Sequence, residues 1–175
     1  MDIIKTTMKA EVTYSEDHVH RLLLKKEWNS KLPKATVITK YPRHQGDVKI
    51  DTSTMLIINA LYDMGYGTAY LSNLFTHTQI ADSIDEIDEL VHPEADDYLL
   101  KALKDSEIVI MAWGSSSSKM IDYRIEELSE LLKTQSINIS KLVNPETKKI
   151  THPLNPKSRA FWVLESVQET VEEDK

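Results

Sequence analysis

The stretch Glu107-Ile108-Val109-Ile110-Met111-Ala112-Trp113 is nearly continuous in apolar side chains and rich in β-branched ones. A strand with one wet face alternates apolar and polar residues, whereas an unbroken apolar run is expected of a strand covered on both faces, as in a parallel sheet under helices. Two more β-rich runs precede it, Ala35 to Tyr41 and Thr68 to Phe75, and a fourth strand is predicted at Ile139 to Val143 before the turn Asn144-Pro145-Glu146. Helical periodicity fills the intervals. Thr52 to Met64 starts after Asp51 and stops at Gly65, with Met55, Ile58, Leu61 and Tyr62 on one face; Glu94 to Lys104 and Met120 to Lys133 are patterned likewise. Asp17 to Trp28 reads as a further helix and Met8 to Tyr14 as an edge strand. The alternation predicts a three-layer α/β/α domain around a central, mainly parallel four-stranded sheet. Residues 1–164 are assigned to one domain, and 165–175 to a helix end or solvated tail.

Composition bounds the chemistry. The chain of 175 residues suits one domain, and its formal net charge of −7 disfavours broad, non-specific nucleic-acid binding. It contains no cysteine, which excludes disulfides, zinc–thiolate and iron–sulfur sites and cysteine nucleophiles. The start Met1-Asp2-Ile3-Ile4-Lys5 lacks a signal-peptide pattern and no apolar run is long enough to span a membrane, so a cytoplasmic location is expected. The four glycines, Gly46, Gly65, Gly67 and Gly114, cannot be arranged into either common phosphate-cradling motif. Neither a cofactor nor a metal is expected. His18 and His20, two apart on the expected helix, point to different faces, and the run from Asp82 to Glu89 lacks calcium-loop spacing.

Ligands of open α/β sheets bind at the carboxyl ends of the strands. The residues there are Tyr41-Pro42-Arg43 and the helix start at Asp51, then Asn73 and Phe75, then Trp113, then His152-Pro153. Asp51 also reads as an N-cap, Asn73 as an Asx-turn and Trp113 as a core residue. His152, between Thr151 and Pro153, is a poor core candidate.

The order Arg21-x-Leu23-Leu24-x-x-x-Trp28, a strand ending in Pro42, Asp51-x-x-Thr54, Asn73-Leu74-Phe75, Pro93-x-x-x-Asp97, Ala112-Trp113-Gly114 and His152-Pro153-Leu154 resembles the bacterial and phage family called domain of unknown function 1643. Where that family shows Leu-Asn-Pro-Ser, this chain has Lys40-Tyr41-Pro42-Arg43. The layout is also similar to a reduced uracil-DNA glycosylase fold. That resemblance implies that Tyr41 occupies the catalytic-acid position, Asn73 the base-reading position and His152 the oxyanion-stabilising position. A tyrosine is protonated at neutral pH and cannot activate water as a carboxylate does.

The expected function is therefore recognition of a nucleobase, nucleotide or short single-stranded nucleic acid. Asn73 would read a base edge, Tyr41, Phe75 or Trp113 would stack, and Arg43 would meet a phosphate. A hydrolytic version adds Asp51 as water activator and His152 as stabiliser of the leaving base. The alternative is an acidic interaction protein that binds a host protein, using residues 82–89 with Asp96 and Asp97. A third reading, a glycosylase on duplex DNA, would use basic residues near the first and last strands, among them Lys31, Lys34, Lys40, Lys148, Lys149, Lys157 and Arg159.

Overall fold

A computed structural model describes residues 1–42, 48–79, 87–116 and 118–167. Arg43, most of the acidic run beginning at Asp82, and the end of the tail lie outside the described residues.

The protein is a mixed α/β structure. Its strands are β1 (Lys9–Tyr14), β2 (Arg21–Glu27), β3 (Lys34–Thr39), β4 (Thr68–Asn73), β5 (Ile108–Met111), β6 (Asn138–Val143) and β7 (Val163–Ser166). The helices are α1 (Thr52–Asp63), the single turn α2 (Ile87–Leu90), α3 (Ala95–Lys104) and α4 (Lys119–Lys133). One sheet holds all seven strands in the order β1-β2-β4-β3-β5-β6-β7. β4, β3, β5 and β6 are parallel neighbours, while β1 and β2 on one side and β7 on the other join antiparallel.

The expected four-stranded sheet is thus corrected to a sheet of seven strands among the described residues. The helix expected at Asp17 to Trp28 is instead a turn followed by β2. Its leucines and lysines are good helix formers, but Leu22, Leu24 and Lys26 are buried on alternate positions, a period-two pattern imposed by partners on both sides. The domain end set at residue 164 falls inside β7, whose Glu165 and Ser166 pair with Lys141 and Ser140.

The central strands feed two apolar clusters by alternation. Ile38, Val109 and Met111 pack with Leu99 and Leu103 of α3 and Leu128 and Leu132 of α4. Val37, Ile110 and Leu71 pack with Ile57 and Leu61 of α1. Each strand residue therefore faces the cluster opposite to that of its neighbour, with helices on both sides of the sheet. The unit β3–α1–β4 leaves β3 toward one sheet edge, and β5–α4–β6 leaves β5 toward the other. β3 and β5 consequently form the switch point, where their carboxyl ends diverge from overlying connections and leave a crevice.

Candidate functional site

A cavity of about 320 Å³ opens at that crevice. Lys40, Tyr41 and Pro42 leave β3 on one side, and Trp113, Gly114 and Ser115 leave β5 on the other. Asp51, Ser53 and Thr54 come from the start of α1, His152 from the segment after β6, and Arg21 from the start of β2.

Local chemistry explains these placements. Asp51 is the N-cap of α1: its carboxylate accepts the Thr54 backbone N–H at 3.1 Å and the Thr54 hydroxyl at 2.8 Å. His152 returns to the strand ends through a tight turn in which Asn144 Oδ1 accepts the backbone N–H groups of Glu146 and Thr147. The Thr151 N–H then donates to the Leu142 carbonyl at 2.8 Å. His152 Nδ1 accepts the Leu154 N–H at 3.2 Å, which leaves Nε2 as the proton-bearing nitrogen of the neutral ring. Gly114 has φ +80°, and a Cβ there would lie 3.3 Å from His152 Cβ. Glycine is what lets the two loops approach.

The aromatic residues divide their roles. Tyr41 lines the cavity and stacks on Phe75 with centroids 5.1 Å apart and planes at 23°. Phe75 itself is wholly buried, so it backs Tyr41 from the core. Burial also raises the Tyr41 phenol above its ordinary value, keeping it a neutral donor at physiological pH. Trp113 is both a core residue and part of the cavity wall.

Asn73 is not among the residues that line the cavity. It is buried behind the cavity, where its Oδ1 accepts from Arg21 Nη2 at 3.0 Å and its Nδ2 donates to Thr39 Oγ1 at 2.7 Å. The β3–β4 register makes Thr39 its direct neighbour. The structure thus brings Tyr41, Asp51, Trp113 and His152 together on one cavity, sets Asn73 and Phe75 behind it, and does not describe Arg43.

Sequence reasoning missed Arg21 as a cavity residue and offered Lys40 only for a basic track beside the site. Arg21 is 4% exposed; burial lowers its pKa to about 10, against the attraction of Tyr14 and Asp51, so it stays cationic. Its signal was the motif that ends at Trp28, but a helical reading turned it away from the strand ends. Lys40 Nζ donates to the Ser115 carbonyl at 2.6 Å, tying the two loops, and burial lowers its pKa. Trp28 is a structural peg: its Nε1 donates to the Tyr66 carbonyl at 2.9 Å. Asp96, one place before the motif's Asp97, pairs with Arg124, which also holds the Leu74 carbonyl at 3.0 Å.

The molecule is, then, a mixed α/β protein with a polar and aromatic cavity at the carboxyl ends of its parallel strands. It belongs to the family described as protein of unknown function (DUF1643), whose model matches residues 21–154. Neither the curated proteins nor the solved structures contain a significant match to the chain. No described helix is long and apolar enough to cross a membrane. Among the described residues, no group of three or more histidine, aspartate and glutamate side chains is placed to hold a metal ion.

Proposed function

We propose that the cavity between β3 and β5 recognises a nucleobase or nucleotide. The observation that supports this reading is the convergence of Tyr41, Asp51, Trp113 and His152, from four separate segments, on one crevice at the switch point. Aromatic walls suit a planar ring, and a few fixed polar groups suit its edge. The uracil-DNA glycosylase-like arrangement belongs to the same proposal. Tyr41-Pro42 follows the first parallel strand, Asn73 ends the second and His152-Pro153 follows the fourth, the order that resemblance implies.

Binding ranks above hydrolysis. The acid position holds a tyrosine, and two of the lone pairs of Asp51 already serve Thr54. A hydrolytic version retains Asp51 and His152 on one cavity as its support. The acidic interaction surface has less to recommend it, because Asp96 is engaged with Arg124.

A thermal-shift panel of nucleobases, nucleosides, nucleotides and short single-stranded DNA tests the proposal on wild type and His152→Ala. Asn73→Ala is a poor probe, since it removes an internal anchor of Arg21. A compound at about 100 times its Kd stabilises by roughly 2.7 kcal/mol. A shift in wild type that His152→Ala abolishes is expected; no shift with any compound overturns the reading.

A further inference from the structure

A second cavity, of about 610 Å³, also borders the Trp113-Gly114-Ser115 segment and lies between α4 and the β6–β7 end of the sheet. The pattern of α4 explains it. This helix buries Ile121, Leu128 and Leu132 in the cluster that holds Val109 and Met111 of β5. Its flank Ile125-Ser129-Lys133, a stripe of residues four apart, is left facing the cavity. On the sheet, Ile139 and Lys141 of β6 stand on one face with Glu165 and Val167 of the neighbouring segment. Lys141 is registered with Glu165, and the Val167 N–H donates to the Ile139 carbonyl at 2.8 Å. Ile150, bridged to Val143, completes the wall. Ile125, Ile139, Ile150 and Val167 pack against the core cluster yet remain only half-buried.

Charge on this wall runs against the trend of the chain. The formal net charge is −7, yet four lysines and one glutamate line the cavity. Lys148 Nζ lies 3.8 Å from Glu165 Oε1, and Lys133 Nζ lies 2.6 Å from Glu130 Oε1. Among the described residues, Lys141 and Lys149 have no carboxylate within ion-pair distance. We propose that this cavity binds an amphipathic organic acid, a medium-length aliphatic chain ending in a carboxylate. The chain lies on the half-buried isoleucines and Val167, and the carboxylate meets Lys141 and Lys149. The lining is branched and aliphatic, and its Trp113 is 4% exposed, so it offers apolar area for a hydrocarbon to cover rather than a plane for a ring to stack on. Lysine is a point charge on a flexible apolar stem, so it meets a carboxylate without a fixed bidentate geometry. This site stands independently of the nucleobase reading of the first cavity.

The experiment titrates butanoate, hexanoate, octanoate, octanol and acetate into the full chain at constant ionic strength, below micelle-forming concentrations. Backbone amides are followed in proton–nitrogen correlation spectra. The expected result is saturable octanoate binding that moves residues 139–141, 148–150 and 165–167 and leaves Tyr41 and Asp51 in place. Affinity should rise about threefold for each methylene from butanoate to octanoate, and acetate should move nothing. Lys141→Gln combined with Lys149→Gln should weaken octanoate about tenfold and leave octanol unchanged. Both lysines are exposed, so the double variant keeps the fold. Octanol that binds as tightly as octanoate overturns the proposal, as does undiminished octanoate affinity in the double variant. The absence of saturable binding by every acid overturns it, and so do octanoate shifts centred on Tyr41 and Asp51, which would put the acid in the first cavity. Shifts of the same amides that grow with protein concentration alone would make a second copy the occupant. A hexaglutamate peptide that binds there more tightly than octanoate would make the occupant an acidic protein segment. Either outcome also overturns the proposal.

Discussion

Gly114 shows most sharply how single atoms set the cavity. Its φ of +80° is left-handed, and a Cβ would approach His152 Cβ to 3.3 Å. Gly65 has a similar φ of +86° but nothing within 4 Å of the same added atom. Gly65→Ala should therefore cost only the backbone strain, about 1 kcal/mol. Gly114→Ala should cost about 1 kcal/mol more, because either His152 or the loop must shift. Urea midpoints of the two variants give the comparison, and equal losses would show that the contact with His152 is soft. The position of Asn73 at a strand end was legible in the sequence, but its use was not. The amide is consumed by Thr39, a neighbour only through the β3–β4 register, and by Arg21, which lies 52 residues away along the chain. Tyr41, Asp51, Trp113 and His152 were legible because each follows a strand or caps a helix whose own pattern is local.

At the scale of elements, the strands and helices with strong periodicity follow their local signals, and the departures are where neighbours override them. β2 has no β-branched residue, yet pairing with β1 and β4 makes it a strand. β7, only four residues long, is paired with β6 and carries too little pattern to be recognised alone. The misread turn before β2 contains a device with a pH signature. His20 lies 5.2 Å from His77 and 5.4 Å from His92, ring centre to ring centre, and its Nδ1 meets Thr76 Oγ1 at 2.9 Å. Burial, then His77 and His92, lower its pKa below 6.5, while Asp17 opposes them weakly. The unfolded chain then takes up a proton before the folded one, so the contribution is complete above about pH 6.5 and is lost as the pH falls below it. The thermal midpoint should drop on acidification through that range, and His20→Asn should flatten the drop; an unchanged slope would place the acid sensitivity elsewhere. α4 is fastened by Arg124, which holds the Leu74 carbonyl and pairs with Asp96 and Glu127. Arg124→Met leaves that carbonyl without its donor and should cost about 2 kcal/mol by urea denaturation.

Over the whole molecule, stability is expected to be graded across the sheet rather than uniform. β3, β4 and β5 carry almost wholly buried side chains between two apolar clusters, whereas β1 begins with three exposed residues and β7 ends with two. Backbone groups at a sheet edge open locally, and those in the middle are released only when the core comes apart. Amide hydrogen exchange should therefore be slowest in β3, β4 and β5, at the rate of global unfolding, and faster in β1 and β7. The cavity lies between these regimes. Its floor belongs to the slow strands, but Gly114, Ser115, the first turn of α1 and the segment at His152 are loops or helix starts tied by a few hydrogen bonds. A ligand bridging them must pay their ordering entropy and in return couples them to the core. With a nucleotide bound, protection should rise most at residues 51–54, 113–115 and 151–154, while β1 and β7 change little. A ligand that instead protects β1 would bind at the sheet edge, and the crevice between β3 and β5 would lose its claim to be the site.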